Sequence, residues 1–168
     1  MKQKNYGDSL EEYPKTNIFL GNLVMIQWIA LGAAACWFLY PPAAYIYLAF
    51  AVTTVFIVLR KLVCTNCYYY NRWCSIGWGK LSALFFKKGD TRKFSTSLGI
   101  KLAPVTYGLL SIIPLILIII SLTQKFTIPK IIVLLLLILI SFYSGTISRK
   151  QACARCKMRL TCPGSAIK

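Results

Sequence analysis

The chain has 168 residues, 57% of them hydrophobic and 14% charged, with 20 basic against four acidic side chains, seven cysteines and no histidine. That apolar content exceeds what a soluble domain of this size needs, and the polar remainder is too small to cover a core built from it. The absence of histidine excludes a Ser-His-Asp triad and any hydrolytic zinc site built on histidine and glutamate.

Residues 1–17 read as a polar tail carrying Asp8, Glu11 and Glu12. The first apolar run begins only after it, and no small-residue processing site follows, which argues against a cleaved signal peptide. No formally charged side chain lies between Lys15 and Arg60, an interval long enough for two crossings of a hydrocarbon core roughly 30 Å thick, at about 20 residues each. Pro41 and Pro42 divide it, because proline lacks an amide hydrogen and disfavours helix in the residue before it. Helix 1 is therefore expected over Ile18–Tyr40 and helix 2 over Ala43–Leu59.

Residues 60–101 form a loop rich in cysteine, basic and aromatic residues. Trp73, Trp78, Phe85 and Phe86 interleave with Lys80, Lys87 and Lys88, the composition of a segment lying among lipid headgroups. The stretch from Lys80 to Lys88 suits a short amphipathic helix, with Gly77 and Gly79 weakening its start. Helix 3 is expected over Leu102–Leu122, with Pro104 near its start and a kink at Pro114. Pro129 suits the first turn of helix 4, which spans the aliphatic run Ile131–Ile147. A cysteine-rich tail, 148–168, closes the chain. These elements predict an all-α integral membrane protein of one domain, with four transmembrane helices arranged as two tandem helical hairpins. None of the spans holds a carboxylate or histidine, which disfavours an ion pump or proton-coupled carrier.

Basic residues beside membrane segments stay cytoplasmic. The first tail holds Lys2, Lys4 and Lys15, the central loop nine basic residues from Arg60 to Lys101, and the last tail six from Arg149 to Lys168. The hairpins hold only Lys125 and Lys130. Both termini and the central loop are thus expected in the cytoplasm, in a multi-pass protein of the cell membrane. Positive-inside topology and attraction to a bilayer with anionic headgroups account for the net charge of +16, and no nucleic acid is needed as a partner.

The exits of helices 2 and 4 carry the same pattern 89 residues apart: Arg60-Lys61 leads to Cys64 and Cys67, and Arg149-Lys150 leads to Cys153 and Cys156. Cys74 then follows Cys67, and Cys162 follows Cys156, at nearly equal spacing. A lone CxxC is common by chance. Two, each with a third cysteine and each behind Arg-Lys at a helix exit, point to one shared site. Two halves of the same topology would be related by an axis along the membrane normal, bringing both triads to one end of the bundle.

Thiolate softness selects iron–sulfur clusters, zinc or Cu(I) over magnesium, calcium or manganese. Cys64, Cys67, Cys74, Cys153, Cys156 and Cys162 are therefore the candidate metal ligands. An iron–sulfur cluster would make the chain an electron-transfer or accessory subunit of a larger membrane complex, serving a cytoplasmic redox partner. Zinc would make it a clasped scaffold or assembly subunit. The spacing C-x2-C-x6-C with C-x2-C-x5-C resembles the two halves of the fungal binuclear zinc cluster, in which six cysteines hold two metals. Here a transmembrane hairpin separates the halves, so DNA binding does not carry over. A third reading is a membrane thiol–disulfide oxidoreductase, since a four-helix bundle with surface CxxC pairs is broadly similar to the quinone-linked disulfide-forming enzymes. A reducing cytoplasmic face weighs against it. No residue set marks the chain as an enzyme on its own.

Cys36 reads as a small packing residue, and Tyr68, Tyr69 and Tyr70 as interfacial anchors that could also shield a cluster. Gln27, Thr53, Thr54, Tyr107 and Ser111 are expected to hydrogen-bond between helices.

Overall fold

The computed structural model describes residues 9–167. Lys2, Lys4, Asp8 and Lys168 lie outside them. Five helices are present and no strand occurs among the described residues. Four of them, α1 (Lys15–Trp37), α2 (Pro41–Asn66), α4 (Leu98–Gln124) and α5 (Ile128–Ala154), are long and apolar enough to cross a membrane. The fifth, α3 (Trp78–Phe85), lies in the central loop.

α2, α4 and α5 extend beyond both ends of the apolar runs that mark them, whereas α1 starts early, at Lys15, and stops at Trp37, short of the expected Tyr40. At about 1.5 Å per residue, the 26 residues of α2 measure roughly 39 Å. A hydrocarbon core needs only about 30 Å, so the basic turns after Leu59 and after Ile147 continue as helix past that length. The first hairpin is tighter than its prolines alone imply. Pro41 and Pro42 open α2 rather than sitting in the turn, and Tyr40 before them is extended, with φ −153° and ψ 107°. Pro129 likewise stands in the first turn of α5. Pro104 and Pro114 both lie inside the single unbroken helix α4.

α2 and α5 share an irregularity: a π-helical turn at Thr53–Val58 in one and at Tyr143–Ser148 in the other, each directly ahead of the Arg-Lys step. Such turns insert one residue into the α-helical ladder and so reset the direction of every side chain that follows.

The interior is built around α1, which packs against α2, α4 and α5. Its inward face is small, with Gly32, Ala33, Ala35 and Cys36 all buried, and this lets backbones approach closely. A Cβ at Gly32 would overlap the Tyr47 ring, whose hydroxyl donates to the Leu110 carbonyl at 3.0 Å. Trp28 Nε1 donates to Ser141 Oγ (3.1 Å), and Ser121 Oγ donates to the Phe38 carbonyl (2.8 Å). Polar ties therefore do cross between helices, but through residues other than those expected from sequence. Thr54 and Ser111 instead bond back to carbonyls of their own helices, the usual alternative for a hydroxyl one turn away. Lys130 is buried at the far hairpin, where its ammonium donates to the carbonyls of Ser121 and Lys125 (2.8 and 2.9 Å) and closes the C-terminus of α4. The outward surfaces are apolar. Only 6% of the α5 core stretch is buried inside the bundle, and a helix apolar all round needs lipid, not water, against its free faces.

Candidate metal centre

The six triad cysteines all lie at the end of the bundle where α2 and α5 finish, each half-buried and none in a disulfide. Cys64 opens the last, 3-10 turn of α2, and Cys153 sits in the final turns of α5. Cys67 and Cys74 follow in the loop after α2, and Cys156 and Cys162 in the turns after α5.

A segment that sequence reasoning treated as a tail binds these two loops together. Leu10 N–H donates to the Arg155 carbonyl (3.0 Å), while the Leu10 carbonyl accepts from Tyr69 Oη (2.7 Å). Tyr13 N–H donates to the Trp73 carbonyl (2.9 Å), and its hydroxyl donates to the Ala152 carbonyl (2.7 Å). The strap 10–13 thus touches the first triad's loop and the second triad's helix end at once. Tyr69, 2% exposed, stacks edge-on against Tyr13 at 5.8 Å and accepts from Lys157 N–H at 3.2 Å. It is a buried junction residue, not the interfacial anchor expected from its composition. Tyr68 beside it receives hydrogen bonds from Arg72 and Lys157 (2.8 and 3.2 Å), and Lys157 also pairs with Glu11 at 2.8 Å. The uncharged Leu10 and Tyr13, next to a proline that favours extended chain, were the available signal.

The loop between the triads is held by glycine. Asn71, at φ 60°, donates its N–H to the Gly79 carbonyl (3.0 Å), and a Cβ at Gly79 would overlap the backbone carbonyls of Tyr69 and Arg72. Gly77, at φ 73°, precedes the first residue of α3. These glycines do not weaken the start of the helix as expected. They permit it to begin at Trp78, against the cysteine loop, and the helix ends at Phe85, short of Lys88.

The thiols form one electrostatic group. Ionisation of Cys67 is opposed by charge on Cys64, Cys156 and Cys74, and that of Cys156 by charge on Cys153, Cys162 and Cys74. Burial is the larger cause in each case, and it pushes the Cys67 thiol up to about 12. Cys156 and Cys162 are raised in the same way. Opposing this, the backbone amides of Tyr69, Met158 and Gly164, each two residues further along the chain, favour the thiolates of Cys67, Cys156 and Cys162. The Arg149 guanidinium also favours a thiolate at Cys162.

No known family, curated protein or solved structure matches this chain. Its chemistry is read from its own residues. Among the described residues no three cysteine or acidic side chains are gathered closely enough to hold one metal ion. The two triads share an end of the bundle and an electrostatic environment without their sulfurs meeting at a point. A cleft of about 740 Å³ opens beside them, with Tyr68, Arg92, Lys157 and Met158 among its walls.

Proposed function

We propose that the protein is a multi-pass protein of the cell membrane, with both termini and the 60–101 loop in the cytoplasm, that binds metal at that face. Its ligands are drawn from Cys64, Cys67, Cys74, Cys153, Cys156 and Cys162. The observation that carries this reading is that two distant stretches of chain bring all six triad thiols to one end of the bundle. Each thiolate raises the cost of the next, and a shared cation removes that cost. Backbone amides favour the thiolate at three of these sulfurs, the kind of support that tunes thiolate-held metals. The matched π turns ahead of Arg60 and Arg149 support two tandem hairpins.

The preferred centre is an iron–sulfur cluster, in an electron-transfer or accessory subunit that passes electrons between a cytoplasmic partner and a membrane complex or quinone. The strap favours a second reading. Because residues 10–13 already join both loops, zinc in the same thiols would complete a structural clasp on a scaffold subunit. Thiol–disulfide exchange is the weakest reading, since thiols held protonated by burial are poor nucleophiles. Anaerobic purification followed by metal and sulfide analysis tests all three. A cluster gives a brown protein with matched iron and acid-labile sulfide that Cys156→Ser bleaches. Zinc gives a colourless protein that loses strap protection to a chelator. Absence of both metals at stoichiometric level overturns the proposal.

A further inference from the structure

Two basic side chains, Lys130 and Arg60, are buried among the described residues, and only one has its charge answered. Lys130 has two carbonyls. Arg60, 6% exposed, lies with its guanidinium 3.6 Å over the Trp78 ring, and its Nε has no hydrogen-bond partner. Nη2 reaches the Met25 sulfur at 4.0 Å, and the guanidinium also interacts with the uncharged Cys64 thiol. No carboxylate answers it either, because the ion pairs among the described residues are Glu11–Lys157 and Asp90–Arg92. Its counterpart in the other half, Arg149, is exposed and donates to the Gly164 carbonyl at 2.6 Å. A buried guanidinium without an anion is costly, and the cost falls on one half alone.

Arg60 lines a cleft of about 260 Å³ between α2 and α3, whose other walls include Phe56, Trp78, Leu81, Phe85 and Phe86. The cleft straddles the end of α2's apolar run, between Phe56 within it and Arg60 just past it. α3 turns Leu81, Leu84 and Phe85 outward, with Lys80, Lys87 and Lys88 also exposed, the composition of a helix lying in the membrane surface.

We propose that this cleft binds one anionic phospholipid, with its phosphate paired to Arg60 and the start of an acyl chain against Phe56 and Phe85. A free phosphate has the same head chemistry, but the apolar walls contribute nothing to holding it. The site shares Arg60 with the surroundings of Cys64, and its test reads lipid binding rather than metal content.

The test uses the full chain in detergent, titrated with phosphatidylglycerol, with phosphatidylcholine and with inorganic phosphate, and read by native mass spectrometry with circular dichroism as the fold check. One phosphatidylglycerol binds most tightly, with a preference of about tenfold or more over phosphatidylcholine. Arg60→Gln lowers that affinity by about tenfold or more, as loss of a desolvated charge partner does. Phe85→Glu, which changes an exposed residue at the mouth of the cleft, does the same by supplying a tethered carboxylate, and it decides the matter if Arg60→Gln loses helicity. Arg149→Gln changes the affinity by less than about twofold, as an exposed charge does. Undiminished binding by a folded Arg60→Gln or Phe85→Glu variant overturns the site. Displacement of the lipid by inorganic phosphate at equal concentration overturns the lipid as its occupant.

Discussion

Replacing Tyr69 by phenylalanine removes one oxygen and tests whether the strap is part of the centre. That hydroxyl donates to the Leu10 carbonyl at 2.7 Å and accepts from the Lys157 amide at 3.2 Å, at a ring only 2% exposed. The substitution keeps the edge contact with Tyr13 and leaves one carbonyl and one amide without their partner. A buried group deprived of its hydrogen bond costs about 1–3 kcal/mol, which converts to roughly 5- to 150-fold in an opening equilibrium at 1.4 kcal/mol per tenfold. Hydrogen exchange read on the amides of Leu10 and Tyr13, which donate to Arg155 and Trp73, should accelerate by that factor. Exchange in the cores of α1 and α4 should not change. Strap exchange within twofold of the parent would refute the reasoning, because the hydroxyl would then hold nothing. Acceleration throughout the spans would refute it differently, by making Tyr69 a general stability residue.

In metal-free protein, burial at Cys67 pushes the thiol up to about 12. Because a raised thiol keeps its proton, alkylation at pH 8 should run about 1,000-fold slower than at an unperturbed cysteine of pKa about 8.5–9. The rate should climb only as pH approaches the raised value, and a labelling midpoint near 8.5 contradicts the burial. Metal binding must expel those protons, so apparent affinity should rise with pH across the neutral range in a competition titration. Glu11→Gln removes an exposed partner of Lys157, and strap exchange should change on the order of twofold or less. The Glu11 carboxyl is held below its usual range, first by the Lys157 hydrogen bond and charge, so the pair persists at neutral pH and is lost as pH falls through that lowered value. Gly79→Ala drives a methyl group into two backbone carbonyls and should open the 67–79 loop to protease, while Gly108→Ala, with nothing within 4 Å, should be neutral or slightly stabilising.

The four spans were legible because the absence of charge locates the hydrocarbon, but it does not locate the helix. Ala43–Leu59 and Ile131–Ile147 mark the lipid, whereas α2 and α5 run on to Asn66 and Ala154. Past the lipid, arginine, lysine and glutamine are good helix formers, and nothing in Arg60–Val63 or Arg149–Ala152 stops a helix. The cysteine repeat was equally plain, since spacing is a property of the sequence itself. Leu10 and Tyr13 were not legible as site residues, because they act through backbone groups and one hydroxyl across separations that no periodicity encodes. Arg60 was counted only as a topological charge. Its burial depends on Trp78 folding back over it, and Gly77 and Gly79 control that approach.

Because the strap joins residues 10–13 to residues 152–157, an earlier-made and a later-made stretch of chain meet beside the thiols. From Cys74 to Cys153 roughly 80 residues must be made, at about 5–20 residues per second, so the first triad waits on the order of 4–16 seconds for its counterpart. Throughout that interval Cys64, Cys67 and Cys74 stand without Tyr13's partner at Ala152 or the Lys157 amide that meets Tyr69. Closure of this end of the bundle therefore waits on residues 152–157, long after the first triad has been made.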